Sequence, residues 1–124
     1  MELEDLEVYK LSRELSRVFW SVYKEMSRNV RHLIGNQTLR AIDSIGANIA
    51  EGFGRFHYLD SLRFYYNARG SLWESKHWVD ILNERKLISQ NIYTTLNENL
   101  DALGIKLNNF IKAIKRQIDS DKDE

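Results

Sequence analysis

An all-α fold, an antiparallel up-down-up-down four-helix bundle, is what this sequence predicts, and three observations carry the prediction. The 124 residues include no proline and 6 glycines, so nothing forbids long uninterrupted helices. Apolar residues recur at alternating spacings of three and four along four stretches, the repeat of a helix seam, and no stretch alternates as a strand would. The breaks between these stretches are short, and short loops between long helices make sequence neighbours antiparallel. No internal repeat or second domain is visible. The chain reads as one bundle over residues 1–118, followed by an almost wholly charged tail over 119–124 that should fray.

The first helix is expected from about Leu6 to Met26, with Val8, Leu11, Leu15, Val18 and Val22 as its seam. Phe19, Trp20 and Tyr23 widen that stripe, and Ser27 and Asn29 break it. Asn36, after Gly35, is the expected N-cap of a second helix running to about Phe53. Ile42, Ile45, Ile49 and Phe53 form its apolar row; Ala41, Ser44, Ala47 and Ala50 suit close contact, and Gly52 and Gly54 end it. The third helix covers about Leu59 to Glu84, with Asp60 near its start. Two rows run along it: Tyr65, Ala68, Leu72, Ser75, Val79 and Leu82 on one face, Tyr66, Gly70, Trp73 and His77 on another. A helix with two faces of this kind needs two partners, or one partner and a second subunit. Ser89 caps the fourth helix, whose seam is Tyr93, Leu96, Leu100, Leu103, Leu107, Phe110 and Ile114.

Composition narrows the chemistry. Cysteine is absent, which removes disulfides, thiolate catalysis and Cys-zinc sites together and fits a reducing compartment. No apolar run approaches the ~18 residues of a membrane span, and the acidic start resembles no secretory signal, so a soluble cytoplasmic protein is expected, with no membrane partner. The 18 basic and 18 acidic residues cancel. Their distribution is mildly uneven: residues 26–58 hold four arginines against two acids, and residues 1–25 hold four bases against six acids.

No complete catalytic or metal site is legible. Glu74 and His77 form one Glu-x-x-His pair on a helix face, but di-iron bundles need two such pairs and further carboxylates. His32 and His57 do not repeat the spacing. No serine stands in a Gly-x-Ser-x-Gly elbow, and Gly52-Phe53-Gly54-Arg55 follows a helix rather than a strand, so a helix-ending turn is its reading rather than a phosphate loop. The expectation is a non-enzyme without cofactor or metal.

The polar group Asn48, Glu51, Arg69, Ser71 and Glu74 is more informative. Asn48 and Glu51 share a helix face beside Ala47 and Ala50. A carboxylate in such small-residue surroundings needs a cation, and Arg69 is the candidate if the second and third helices run antiparallel. A structural network joining helices or subunits is therefore expected.

The same residues carry a resemblance. Ala47-Asn48-Ile49-Ala50-Glu51-Gly52, then Gly54-Arg55, then Ala68-Arg69-Gly70-Ser71 with Glu74, together with the opening Leu3-Glu4-Asp5-Leu6-Glu7-Val8-Tyr9-Lys10, resemble the four-helix proteins encoded in intervening sequences of bacterial 23S ribosomal RNA genes. A related branch is the accessory variability protein of diversity-generating retroelements, which works beside a reverse transcriptase. The resemblance covers nearly the whole chain. It implies an antiparallel four-helix bundle assembled as a homopentamer, with a non-enzymatic role associated with nucleic acid. Gly46 stands where that family commonly has proline, which predicts a less kinked second helix, and the family's usual basicity is absent.

The functional expectation is an oligomeric binding module for RNA, DNA or a nucleic-acid-processing protein. Arg55, Arg63, Lys112, Lys115 and Arg116 are the candidate contacts, because weak single charges gain force when repeated around an assembly. The alternative is a pure protein-interaction scaffold, favoured by zero net charge and by Trp20 or Trp78 if they face solvent.

Overall fold

Leu6 closes a single 3-10 turn, Leu3–Asp5, and opens α1, Glu7–Lys24, in a computed structural model that describes residues 1–123. Glu124, the last residue of the charged tail, lies outside the described residues. The buried stripe of α1 is Val8, Ser12, Leu15 and Phe19, with Leu11, Val18 and Val22 half-buried beside it. The seam is thus turned from the expected one, and the reason is a close approach of the next helix. A Cβ on Gly46 would stand 3.0 Å from the Ser12 Oγ, so α1 meets its neighbour over two small residues. The Ser12 hydroxyl donates to the Tyr9 carbonyl at 2.7 Å, so its burial strands no donor.

Helical structure resumes earlier than expected. The Ser27 hydroxyl accepts the Val30 N–H at 3.2 Å and caps a short turn, Arg28–Val30. A π-helical turn, Arg31–Gly35, then feeds directly into α2, Asn36–Phe53. Asn36 is therefore not a cap, because the backbone at Gly35 before it is already helical and makes no side-chain cap. Its side-chain oxygen accepts the Tyr23 hydroxyl instead, at 2.6 Å. Arg31 takes the capping task for α1: it donates to the carbonyls of Tyr23 at 3.1 Å and Lys24 at 2.7 Å, and its guanidinium lies 4.7 Å from the Tyr23 ring centroid. A cation there meets carbonyls of the last turn and the negative end of the helix dipole.

Thr38, Ala41, Ile42, Ile45, Gly46, Ile49 and Gly52 are the buried face of α2. Gly52 does not end the helix; it lets the next helix in. A Cβ there would come within 2.5 Å of the Tyr65 Cε1. Gly54 closes α2 with φ −75° and ψ −7°, a right-handed conformation open to any residue. After a short turn, α3 runs from Tyr58 to Glu84 and buries Ser61, Tyr65, Ala68, Leu72, Ser75, Val79 and Leu82. Its buried hydroxyls are satisfied locally, Ser61 on the His57 carbonyl and Ser75 on the Ser71 carbonyl. The Leu87 N–H returns to the Leu82 carbonyl at 2.9 Å, which closes α3 with Lys86 at φ 57°. That is a Schellman-type end with lysine in the position glycine usually holds.

Ser89 caps α4, Gln90–Asp123, by accepting the Ile92 N–H at 3.2 Å. Leu96, Leu100, Leu103 and Leu107 are fully buried as expected. Farther on the stripe passes to Ile111, while Phe110 and Ile114 are half-buried. This is the drift a straight helix shows against a strict seven-residue repeat. The helix continues through Asp119 to Asp123, with Asp119 to Lys122 exposed.

α1 touches α2 and α4, α2 touches α3, and α3 touches α4, so the four long helices pack as a bundle in which sequence neighbours are spatial neighbours. One hydrophobic core, from Val8 and Phe19 through Ile42, Ile45 and Ile49 to Leu100 and Leu103, is shared by all four. Among the described residues there is no strand, and no helix is long and apolar enough to cross a membrane.

Candidate nucleic-acid interface

The turn between α2 and α3 sets the first part of the site. Gly54 and Arg55 donate their N–H groups back to Ala50 and Gly52, both at 3.1 Å, which fixes the turn against the end of α2. Arg55 then reaches the Phe64 ring, 4.5 Å from its centroid, and Arg63 approaches the same ring at 4.9 Å. Two guanidinium groups thus share one aromatic side chain. Each also has a carboxylate: Glu51 for Arg55 at 2.9 Å and Asp60 for Arg63 at 3.5 Å. These exposed pairs hold geometry more than they add stability, since such pairs contribute about 0–1 kcal/mol. At the tip Phe56 is 94% exposed, with its ring edge-on to His57 at 4.9 Å, and Tyr58 and Leu59 are exposed beside it. Nothing in the periodicity singled out Phe56; its position in the turn just after the helix-ending Gly54 is the only signal.

The second part comes from α4. Arg69 of α3 donates to the Asn108 side chain at 3.5 Å, and Tyr65 packs edge-on against Phe110 at 4.8 Å. Lys112, Lys115 and Arg116 follow Phe110 within about two turns of α4, and Tyr65, against which Phe110 packs, is the neighbour of Phe64 at the Arg55–Arg63 end. All three are exposed, and none makes an ion pair among the described residues. Asp119 and Asp121 follow on the same helix, so this end carries cations interleaved with acids and aromatic rings rather than a purely basic face.

The polar group of the sequence reading is not assembled within the chain. Glu51 pairs with Arg55 rather than with Arg69, because one helical turn on the same strand of backbone is nearer than a cation on α3. Arg69 lies over the Tyr66 ring at 4.9 Å and turns toward α4. The Asn48 side chain donates to the Ser44 carbonyl at 2.9 Å. Ser71 is half-buried and offers its carbonyl to Ser75, and Glu74 is exposed. His77 is exposed too, edge-on to Trp78. Among the described residues no cluster of three or more His, Asp or Glu is placed to hold a metal.

Two tyrosines are displaced from their ordinary ionisation. Burial pushes the Tyr65 phenol up, against a smaller opposite pull from the Ser61 hydroxyl. Tyr93 is raised chiefly because its hydroxyl donates to the Asp80 carboxylate, at 2.8 Å. Of the tryptophans, Trp20 is 50% exposed and stacked on Tyr23, Trp78 is half-buried, and Trp73 is the most open at 64%. Trp73 and Ile105, also 64% exposed, border a groove between α3 and α4 that includes Arg69, Lys76 and Asp101.

Fold and surface together define a small all-helical bundle with mixed aromatic and charged surfaces. Residues 4–109 match the family of 23S rRNA-intervening sequence proteins, and the chain belongs to that family. Its fold is similar to the crystal structure of a protein of unknown function from the S23 ribosomal protein family of Bacteroides thetaiotaomicron VPI-5482. The two superpose with a TM-score of 0.79 at 24% identity, over 85% of this chain and 95% of that one. That likeness concerns the fold. No curated protein matches the chain.

Proposed function

We propose that this protein is a non-catalytic, nucleic-acid-associated binding module of the cytoplasm, built as an antiparallel up-down-up-down bundle and assembled with copies of itself. The helix directions are supported by pairs whose numbers run oppositely: Tyr23 with Asn36 and Ser16 with Asp43 between α1 and α2, Lys76 with Asp101 and Arg69 with Asn108 between α3 and α4. A ring of five is what the family resemblance implies, and the open aromatic row on α3 supports contact between copies.

The observation that carries the functional reading is the Arg55–Phe64–Arg63 arrangement beside exposed Phe56 and Tyr58, with Lys112, Lys115 and Arg116 toward the same end. Phosphates are drawn by such cations, and unpaired bases stack on such rings for about 1–3 kcal/mol each. Repetition around an assembly multiplies a patch that is weak in one copy. Catalysis draws no support from the histidines: His32 stands in the π-helical turn, His57 in the turn before α3 and His77 on α3.

The test is a salt titration against structured RNA, single-stranded RNA and duplex DNA. Binding that weakens steeply with salt, and weakens further when Lys112, Lys115 and Arg116 are replaced together by alanine, is the expected result. Absence of binding even at low salt overturns the reading. The second reading, a protein-interaction scaffold, is favoured by the exposed Trp73–Ile105 groove and by a net charge of zero.

A further inference from the structure

Two stripes on opposite sides of the bundle match each other in charge, size and height. On α2 the stripe is Arg40, Asp43, Ala47 and Glu51, all exposed and spaced by three or four residues so that they share one face. Its hydrogen bonds look toward α1: Asp43 accepts the Ser16 hydroxyl at 2.6 Å, and Asp43 and Ala47 border a groove with Tyr9, Ser12 and Ser16. On α3 the stripe is Arg69, Trp73, Lys76 and Asp80, again spaced by three or four. Its bonds look toward α4: Arg69 to Asn108, Lys76 to Asp101 at 2.8 Å, and Asp80 from Tyr93. One stripe therefore faces out on the α1–α2 side and the other on the α3–α4 side.

Height follows from the contacts between α2 and α3. Gly52 stands against Tyr65 and Arg55 against Phe64. Carried back along both helices, that register puts Arg40 level with Asp80, Asp43 with Lys76, Ala47 with Trp73 and Glu51 with Arg69. All four pairs share one axial offset of less than about a turn. Three are oppositely charged, and the fourth sets the smallest side chain of one stripe against the largest of the other. Within one copy these pairs do not form, since each stripe turns away from the other.

We infer that the α3–α4 groove around Trp73 receives the α2 face of a second copy, with Trp73 over Ala47 and the three ion pairs Arg40–Asp80, Asp43–Lys76 and Glu51–Arg69 around it. The inference rests on the self-assembly proposed above and names its surfaces. The contact is head-to-tail: different patches meet, and a rotation along the helix axes keeps every pair level, which is the kind of interface that closes rings. It also gives Glu51 and Arg69, left apart within the chain, to each other. The Lys76 ammonium, 5.1 Å from the Trp73 ring centroid, already keeps that ring beside the charge it would bring to Asp43.

Charge reversal tests this. One variant carries Asp43→Lys and Glu51→Lys, a second carries Arg69→Glu and Lys76→Glu, and a third carries all four. Mass is read by light scattering and helicity by circular dichroism. The first two should fall to the monomer mass of 14.7 kDa, and the third should recover the wild-type mass. Mixing the first two should also restore association, because each then offers the other a complementary face. If the wild type is itself monomeric, the assembly reading fails and this inference falls with it. If the wild type assembles and the two single-face variants stay assembled, the assembly reading survives and these surfaces are wrong. Dissociation without recovery in either the four-fold variant or the mixture overturns the pairing. Should a charge variant lose helicity, Trp73→Ala, at an exposed position, reads the same surface: unchanged mass overturns the inference and dissociation supports it.

Discussion

Replacing Gly52 by alanine should destabilise the bundle, although alanine is the better helix former. The added Cβ would stand 2.5 Å from the Tyr65 Cε1 and 3.0 Å from both Cδ1 and Cζ, where ordinary contacts begin near 3.4 Å. The ring has to retreat by roughly 1 Å, and it is buried at 3% exposure with Phe110 edge-on at 4.8 Å. Overpacking of this kind costs about 1–3 kcal/mol, and the helical gain of glycine to alanine returns about 0.5–1. The net loss is therefore about 0–2.5 kcal/mol. Gly70 is the internal control, because a Cβ there meets nothing within 4 Å; Gly70→Ala should raise stability by about 0.5–1 kcal/mol. Urea unfolding followed by circular dichroism, both variants at one protein concentration, measures the two. If Gly52→Ala is as stable as Gly70→Ala, the packing of α2 on α3 at Tyr65 is not as tight as argued.

Other expectations follow from single residues. Leu103 is fully buried at the centre of α4, and Leu103→Ala should cost about 2–5 kcal/mol in the same unfolding assay. Lys86 holds φ 57°, a conformation glycine adopts without strain, so Lys86→Gly should raise the urea midpoint, by up to about 1 kcal/mol in stability. Tyr65 and Tyr93 are both raised above the ordinary phenol value of 10.0. A group raised by folding contributes stability that is complete below its unfolded value and lost as pH climbs through the folded one. The urea midpoint should therefore fall above about pH 10, and Tyr93→Phe should flatten that fall.

Much of the bundle was legible in sequence because long amphipathic stripes leave little freedom. Helix α3 begins at Tyr58, one residue from the expected Leu59, and ends at the expected Glu84; Ser89 caps α4 as its side chain suggested. What was not legible depended on contacts between elements. Ser12 at the centre of α1 makes sense only beside Gly46, and Arg31 as a cap only once it folds back on Tyr23 and Lys24. Asn36 looked like a cap because it follows glycine, yet a π turn carries the helix through both. The site divides similarly. Arg55 and Arg63 were identified and do converge, but their meeting point, Phe64, was not, since an aromatic at helical spacing reads as core. Glu51 and Arg69 were paired by chemistry, and the chain keeps them on different sides.

The central claim is that a patch weak in one copy binds nucleic acid through repetition. The most direct measurement compares the salt dependence of structured-RNA affinity for the wild type and for the Arg69→Glu, Lys76→Glu variant, each with its mass determined in the same buffer. Those substitutions leave Arg55, Arg63, Lys112, Lys115 and Arg116 in place. Assembled wild type should bind with a steep fall of affinity against salt, and the dissociated variant should bind weakly with a shallower slope. A dissociated variant that binds as tightly and as steeply as the wild type, or a wild type that binds no RNA at low salt, would contradict the account.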